Sequence, residues 1–325
     1  MPDVPMIKDF DLFDPKTDAD LIQMALQSRM HGSWEILVID ILTHRSNRQR
    51  QQIVLAYAET YGQDLVEVLK NELGSQMEDV VTAMFLTPDV YDAVALHEAL
   101  EGNVLDEEAL IEIIFTRTNP ELLALRDAYA TLYDRDLVED FTCKSSGDFQ
   151  RLLLAIALGI RDEVDEAADP IQILDQAKLE AQLLYEPIAE KLPTSQFAST
   201  FIIILANPSF PQLRITLSEF EKLVKMDTER IINRSLNGNL ALALLALVRI
   251  TKNKEGFFAE QLYRALQGFG RDDKRLIRLV VSRSEKDLAS IKTEFEKQYK
   301  IGLDTVITGD NSYGYRSVLA SIVRG

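Results

Sequence analysis

Between two stretches of helical spacing the chain runs Leu266-Gln267-Gly268-Phe269-Gly270-Arg271-Asp272. Two glycines one residue apart let the backbone take positive φ without a Cβ penalty, so successive carbonyl oxygens turn toward one point. Such a point suits a hard divalent cation. Calcium takes about six to eight oxygen ligands at about 2.3–2.6 Å, from carbonyls, carboxylates and water. The carbonyls of Leu266, Gly268 and Gly270 would supply part of that shell, and a carboxylate from a distant loop would supply charge. The remaining positions would stay open to water or to a lipid phosphate oxygen. An ordinary helix–helix turn with a helix-capping aspartate would use the same residues.

Few other residues are spaced for chemistry. His31, His44 and His97 stand far apart, beside no cysteine or paired carboxylate, so no zinc or nucleophilic site is expected. Gly268-Phe269-Gly270 lacks the preceding strand and third glycine of a dinucleotide loop, and neither a P-loop nor an EF-hand run occurs. Glu107-Glu108 and Asp272-Asp273 open helical segments, where carboxylates favour the positive end of the helix dipole. Asp92, Glu112, Arg117 and Arg283 fall within helical segments and are expected in internal salt bridges. Cys143, beside Lys144, is expected in a loop as a spare thiol. No constellation supports catalysis, and we expect no enzyme.

Composition narrows the classes further. The 325 residues allow two or three domains or one array of repeats. An apolar fraction of 46% and a charged fraction of 27% exclude disorder for most of the chain. Acidic residues number 52 against 35 basic, a net charge of −17. Nucleic acid is therefore not an expected partner, because affinity there comes from Lys and Arg neutralising phosphates. An anionic membrane would repel the chain unless a multivalent cation bridged the two. The single cysteine excludes an intrachain disulfide and points to a reducing compartment. MPDVPMIKDF shows no signal-peptide pattern. The longest apolar stretch, Leu240 to Val248, is nine residues against the roughly 20 that span a bilayer. A soluble, cytoplasmic protein is expected, able to lie peripherally on a membrane.

The elements that would position the loop are helices. Apolar residues recur as at Leu21, Ile22, Ala25 and Leu26, and Gly62, Gly74, Pro88, Gly102 and Gly147 cut the chain into short helices. Phe201 to Leu205 is β-branched enough to resemble a strand, yet its place in the repeat argues for helix. The chain repeats itself. Thr43-His44-Arg45-Ser46, Thr116-Arg117-Thr118 and Ser282-Arg283-Ser284 align, with Asn207-Pro208-Ser209 as a drifted copy. So do Tyr61-Gly-Gln-Asp-Leu65, Tyr133-Asp-Arg-Asp-Leu137 and Tyr299-Lys-Ile-Gly-Leu303. We expect an all-α chain of four repeats of about five helices. A head covers 1–16, repeat 1 covers 17–87, repeat 2 covers 88–160, a connector covers 161–174, a degenerate repeat 3 covers 175–250, and repeat 4 covers 251–325.

Four such units, each with a glycine loop, a T-x-R-S/T helix end and a Y-G-x-D-L element, resemble the annexin family over nearly the whole chain. The resemblance implies four five-helix domains in a curved disc, calcium sites on the convex face that bridge to acidic phospholipids, and a head that modulates partners from the other side. It also implies an acid 42 residues beyond the loop glycine. Asp310 stands there for Gly268, and Glu72 for Met30. The principal calcium site is thus expected from Leu266, Gly268, Gly270 and Asp310. A weaker one is expected from Ser28, Met30, Gly32 and Glu72, where Met30 has lost glycine's freedom. In repeat 2 the corresponding residue is Lys144, whose ammonium offers no lone pair. In repeat 3, Glu190 to Ser195 holds no glycine pair and Ser235 replaces the acid.

Apolar residues sit at these loop tips: Met30, Trp34, Val104, Leu105, Leu192 and Phe269. Trp34 and Phe269 are expected to contact the membrane, since tryptophan favours membrane–water interfaces; the alternative is that these tips fold back onto their own domain. The reading that follows is calcium-dependent, peripheral, reversible binding to anionic phospholipid membranes, mainly through repeat 4. The alternative is a calcium-poor scaffold or protein-interaction module with weak or calcium-independent lipid binding. The head, lacking a clear amphipathic helix, is not expected to dock in a partner's groove.

Overall fold

The computed structural model describes residues 3–28, 33–73, 75–102, 104–164, 169–267, 272–309 and 314–325. Among the described residues there are twenty helices and no strand, five helices to a repeat. Repeat 1 comprises α1 (Pro15–Ser28), α2 (Ser33–Thr43), α3 (Asn47–Tyr61), α4 (Leu65–Leu73) and α5 (Ser75–Phe85). Repeat 2 comprises α6 (Pro88–Glu101), α7 (Glu107–Thr116), α8 (Asn119–Tyr133), α9 (Leu137–Lys144) and α10 (Gly147–Ala157). Repeat 3 comprises α11 (Pro170–Ala189), α12 (Thr194–Ala206), α13 (Phe210–Val224), α14 (Thr228–Ser235) and α15 (Gly238–Lys252). Repeat 4 comprises α16 (Lys254–Gln267), α17 (Asp273–Ser284), α18 (Leu288–Tyr299), α19 (Leu303–Thr308) and α20 (Tyr315–Arg324).

The sequence landmarks are helix boundaries. Ser46 accepts from the Gln49 N–H at 3.3 Å while the Gln49 side chain accepts from the Ser46 N–H at 3.2 Å, a reciprocal cap that opens α3. Thr118 and Glu121 do the same for α8. Ser209 accepts from the Gln212 N–H at 3.4 Å, so repeat 3 keeps the cap after losing the arginine. The second landmark is a left-handed residue that ends the third helix of each repeat: Gly62, Asp134, Lys225 and Lys300, with φ of 66°, 52°, 54° and 59°. Asp64, Asp136 and Asp227 then cap the next helix. Repeat 3 therefore carries the landmark as Lys225-Met226-Asp227, without its tyrosine or glycine.

Three local expectations meet the structure differently. Phe201 to Leu205 is helical within α12, as the repeat requires. Cys143 is not in a loop: it is exposed in the last turn of α9, which Asp136 starts by accepting from the Val138 and Glu139 N–H groups. Helix α11 begins at Pro170, within the stretch read as connector. Asp169 caps it by accepting from the Ile171 N–H at 2.9 Å, and proline is favoured at the first helical position.

The chain forms two compact units, Met1–Tyr91 with Phe258–Gly325 and Asp92–Phe257. In the first unit α17 packs on α5 and α20 on α2, over a core that includes Ile22, Ile53, Tyr57, Phe258, Phe295 and Leu319. The head straps this unit in extended form. The Met6 and Ile7 N–H groups donate to the Ser284 carbonyl at 2.8 and 2.9 Å, and the Phe10 backbone exchanges hydrogen bonds with the Gln49 side chain. In the second unit α7 packs on α15 and α10 on α12, over Phe115, Phe141, Phe201, Phe220 and Leu247.

Of the charges expected inside helices, Asp92, Arg117 and Arg283 are in ion pairs, with Arg117 just past the end of α7. Arg117 grips Asp92 through two hydrogen bonds of 2.6 and 2.7 Å, both side chains buried. Burial alone would lower the Arg117 pKa, but the Asp92 carboxylate beside it holds it above the ordinary arginine value. Arg45 grips Asp18 in the same way, and Arg283 grips Asp287 one turn on. Repeat 3 has Pro208 in that place. There Arg161 reaches the carbonyls of Pro208 and Leu205 at 2.6 and 3.0 Å, with its guanidinium over the Phe210 ring. Burial draws the Arg161 pKa down to about 10. Removing one partner of a buried pair leaves an uncompensated charge, at a cost of about 3–5 kcal/mol. Asp92→Ala is expected to lower stability by about that much in urea unfolding, and the double change Asp92→Ala with Arg117→Met is expected to recover most of the loss.

Candidate calcium loops

The best-supported loop joins α16 to α17. Leu266 is half-buried in the last turn of α16, and Asp272 caps α17 by accepting from the Arg275 N–H at 3.0 Å. Gly268, Phe269, Gly270 and Asp310 lie outside the described residues. Their surroundings are described. The segment that carries Asp310 is flanked by Gly309 at φ 48°, ψ −143° and Gly314 at φ 68°, ψ −147°, a region almost closed to residues with a side chain. The Tyr315 hydroxyl, in the first turn of α20, donates to Asp273 Oδ1 at the start of α17. The Arg316 guanidinium lies 3.8 Å from the same carboxylate and donates to the Ile307 carbonyl at 3.1 Å, at the end of α19. The end of α19 and the starts of α17 and α20 thus meet around Asp273. The ends of the two segments that carry the expected ligands are brought together. Burial, then the bond to Asp273, pushes the Tyr315 pKa up to about 12, so the hydroxyl stays a donor at neutral pH.

Repeat 1 is only partly in view. Ser28 ends α1, its hydroxyl donating to the Ala25 carbonyl at 3.0 Å. Glu72 is half-buried in the last turn of α4, and Met30 and Gly32 lie outside the described residues. Trp34 is half-buried in the first turn of α2. Ile36 is the more exposed apolar side chain there, at 69%. The sequence signal for Ile36 is faint, since α2 is apolar on nearly every side. Only the buried Val38, Ile41 and Leu42 define the inner face and leave Ile36 outside it.

Repeats 2 and 3 do not fit calcium. In repeat 2 the Lys144 ammonium lies 3.5 Å from the Glu101 carboxylate, beside Gly102. Arg135 donates to Glu101 at 2.9 Å and to Asp140 at 2.6 Å, and the Tyr129 hydroxyl donates to Asp140 at 2.6 Å. An ammonium in that place repels a divalent ion and cannot ligate it. Val104, at the loop tip, is 80% exposed. In repeat 3 the turn after α11 uses its own N–H groups to close the helix: Glu190 donates to Glu186 and Leu192 to Pro187, each at 2.9 Å. Ser235 ends α14 and brings no carboxylate. A cleft of about 380 Å³ lined by Leu183, Pro187, Leu192 and Ser195 adjoins this turn. Among the described residues no group of three or more His, Cys, Asp or Glu side chains is placed to hold a metal, and no helix is long and apolar enough to cross a membrane.

Comparisons with known proteins identify the family of the chain. The annexin family model matches residues 18–84, 91–156 and 257–322, three of the four repeats; Pro208 and Glu190 to Ser195 fall between the matched spans. Annexin A7 of Homo sapiens is 38% identical over 96% of this chain, which spans 62% of that relative's length. Annexin A3 of Mus musculus is 39% identical over 97% of this chain and 95% of its own length. The solved structure of annexin III superimposes with a TM-score of 0.92 at 38% identity, covering 100% of this chain and 98% of that one. A calcium-bound annexin (Sm)1 structure matches at a TM-score of 0.86 and 25% identity, covering 99% of this chain and 93% of that one. The chain belongs to the annexin family, whose members bind calcium and phospholipid membranes and are generally not enzymes.

The glycine geometry around 310–313 is testable without metal. Forcing a side chain into such a region costs about 1–3 kcal/mol. Gly314→Ala is expected to lower the unfolding free energy by that amount, as read from a denaturant titration. Ser317→Ala, which removes only a part-buried hydroxyl bond to the Gly314 carbonyl, should cost less.

Proposed function

We propose that this chain binds anionic phospholipid membranes peripherally and reversibly in a calcium-dependent manner, mainly through repeat 4, from the cytoplasmic side. The observation that carries this reading is the junction of Tyr315, Arg316 and Asp273, which holds the ends of both ligand-bearing segments side by side. The carbonyls of Leu266, Gly268 and Gly270 and the carboxylate of Asp310 are the proposed ligands. Calcium, when bound there, supplies charge that these oxygens share with the phosphate or carboxylate of a lipid headgroup. The residues of the chain do the rest. Asp273 and Tyr315 keep the two turns in register, and Gly309 and Gly314 let the backbone turn between them. Ser28, Met30, Gly32 and Glu72 form a weaker helper site, and Trp34 and Phe269 meet the headgroups. With two sites where the repeat count allows four, attachment needs more calcium than a fully equipped chain would, because avidity rises with the number of sites engaged together.

A second reading, a calcium-poor scaffold or interaction module, is favoured by the Lys144–Glu101 pair and by the self-closed turn of repeat 3. Co-sedimentation with phosphatidylserine vesicles over a calcium series separates the two. Asp310→Ala is expected to raise the calcium needed for half-maximal binding at least about tenfold, equivalent to about 1.4 kcal/mol. Binding that ignores calcium, or is unmoved by Asp310→Ala, would establish the scaffold reading instead.

A further inference from the structure

We propose that the turn between α13 and α14, in repeat 3, is a calcium-independent binding site for a compact soluble anion that carries several phosphoryl groups. The residues that form it are Lys225, Arg230 and Arg234. Repeat 3, residues 175–250, balances eight acidic against eight basic residues in a chain whose net charge is −17. The balance is uneven in space, because the carboxylates at this junction already have cations. Glu219 takes Lys222 at 2.5 Å, Glu229 takes Arg249 at 2.8 Å, and Glu221 and Asp227 share Lys252, each at 2.8 Å. Lys225, Arg230 and Arg234 are exposed, and among the described residues none of the three has a carboxylate partner.

The backbone gathers these cations. Lys225 ends α13 in the left-handed region, and Asp227 starts α14 by accepting from the Glu229 N–H at 2.8 Å. Arg230 and Arg234 follow at a spacing of four, on one face of α14. Side chains on a helix lean toward its N-terminus. The Arg234 guanidinium does so, donating to Met226 Sδ at 3.5 Å, next to Lys225 in the chain. A cation from the last turn of α14 is thereby carried back to the turn that precedes the helix.

The other repeats lack the set. Counted from the left-handed residue, the same three places hold Gly62, Glu67 and Asn71 in repeat 1, and Asp134, Glu139 and Cys143 in repeat 2. In repeat 4 they hold Lys300, Thr305 and Gly309. Their charges are −1, −2 and +1, against +3 in repeat 3. The fold does not call for three cations there, since the other repeats make the same turn without them.

The chemistry selects the ligand. A guanidinium donates two parallel hydrogen bonds to phosphate oxygens, and an ammonium adds a point charge. Three cations gathered at one turn match a small ligand with closely spaced phosphoryl groups. A long polyanion would extend past the patch onto a chain whose overall charge repels it. The α14 helix, eight residues and about 12 Å long, sets the turn apart from Ser235, which stands in repeat 3 where the loop acids stand in repeats 1 and 4. A membrane met by the loops is therefore not the partner of this turn.

The test is calorimetric titration of inositol hexakisphosphate into the full chain in calcium-free buffer. The unaltered protein is expected to bind it, more weakly as salt is added. Arg230→Gln with Arg234→Gln is expected to weaken binding at least about tenfold, because two charge-assisted donors are lost. Lys178→Gln with Lys297→Gln changes the net charge equally at two exposed, paired lysines and is expected to leave binding unchanged. Thermal melting checks folding, and Arg230→Gln alone serves if the arginine double variant does not fold. No binding by the unaltered protein, unchanged affinity in the arginine variant, or an equal loss in the lysine variant overturns the proposal. Calcium-free phosphatidylcholine vesicles bearing phosphatidylinositol bisphosphate test the lipid-borne source. A chain that binds these vesicles through Arg230 and Arg234 but ignores the free hexakisphosphate also overturns it. With no calcium present, the result is independent of the calcium reading of repeat 4.

Discussion

The junction at Asp273 is the constraint on which the rest depends. A cation shell made of backbone oxygens has no strong attraction of its own to fold around. The oxygens must be held in place before the ion arrives, or the entropy of ordering them offsets the binding. Helices α17, α19 and α20 meet at one carboxylate, Asp273, that Tyr315 and Arg316 approach together. The tyrosine is suited to the task because burial and its acceptor keep the proton in place near neutral pH. The glycines at 309 and 314 then allow a backbone path that other residues would resist. Packed helices therefore bound both segments that carry the proposed ligands.

The same separation explains how four repeats share a fold while their loops diverge. What recurs in each repeat is a cap at the start of the third helix or a left-handed residue at its end, together with a buried cation at the junction that precedes it. None of these touches the loop chemistry. Repeat 3 has lost the glycine pair, the acid and the arginine, yet Ser209 still caps α13 and Lys225 still turns left-handed. Arg161 restores a buried guanidinium to the place that Pro208 vacated, now bonded to carbonyls instead of a carboxylate. Selection on folding and selection on the loops act on different residues, so one can relax without the other.

That division also sets what the sequence made legible. The all-helical class and the Arg117–Asp92 kind of pairing followed from spacing, because a buried arginine inside an apolar helix needs a partner within reach. The left-handed end of α3 was legible at Gly62, because glycine is the one residue whose conformational freedom shows in its letter. Lys225 was not, since a lysine gives no sign of positive φ. Arg161 was not, since the residue it compensates for lies 47 positions away and the link is made through carbonyls. Ile36 was hidden by a helix whose outward and inward faces are both apolar. Cys143 was misplaced because the α9 segment is short and its capping aspartate went unrecognised.

Charge connects these observations. A chain at −17 gathers carboxylates at its turns and helix starts, and each such gathering needs a cation nearby. At the junctions before the third helices the cation is a guanidinium, fixed at synthesis, as at Arg45, Arg117 and Arg283. In repeat 2 it is the Lys144 ammonium beside Arg135, again fixed. In repeat 4 the sequence has Asp310 at the position that Lys144 takes in repeat 2, and under the proposed reading the cation there is calcium from solution.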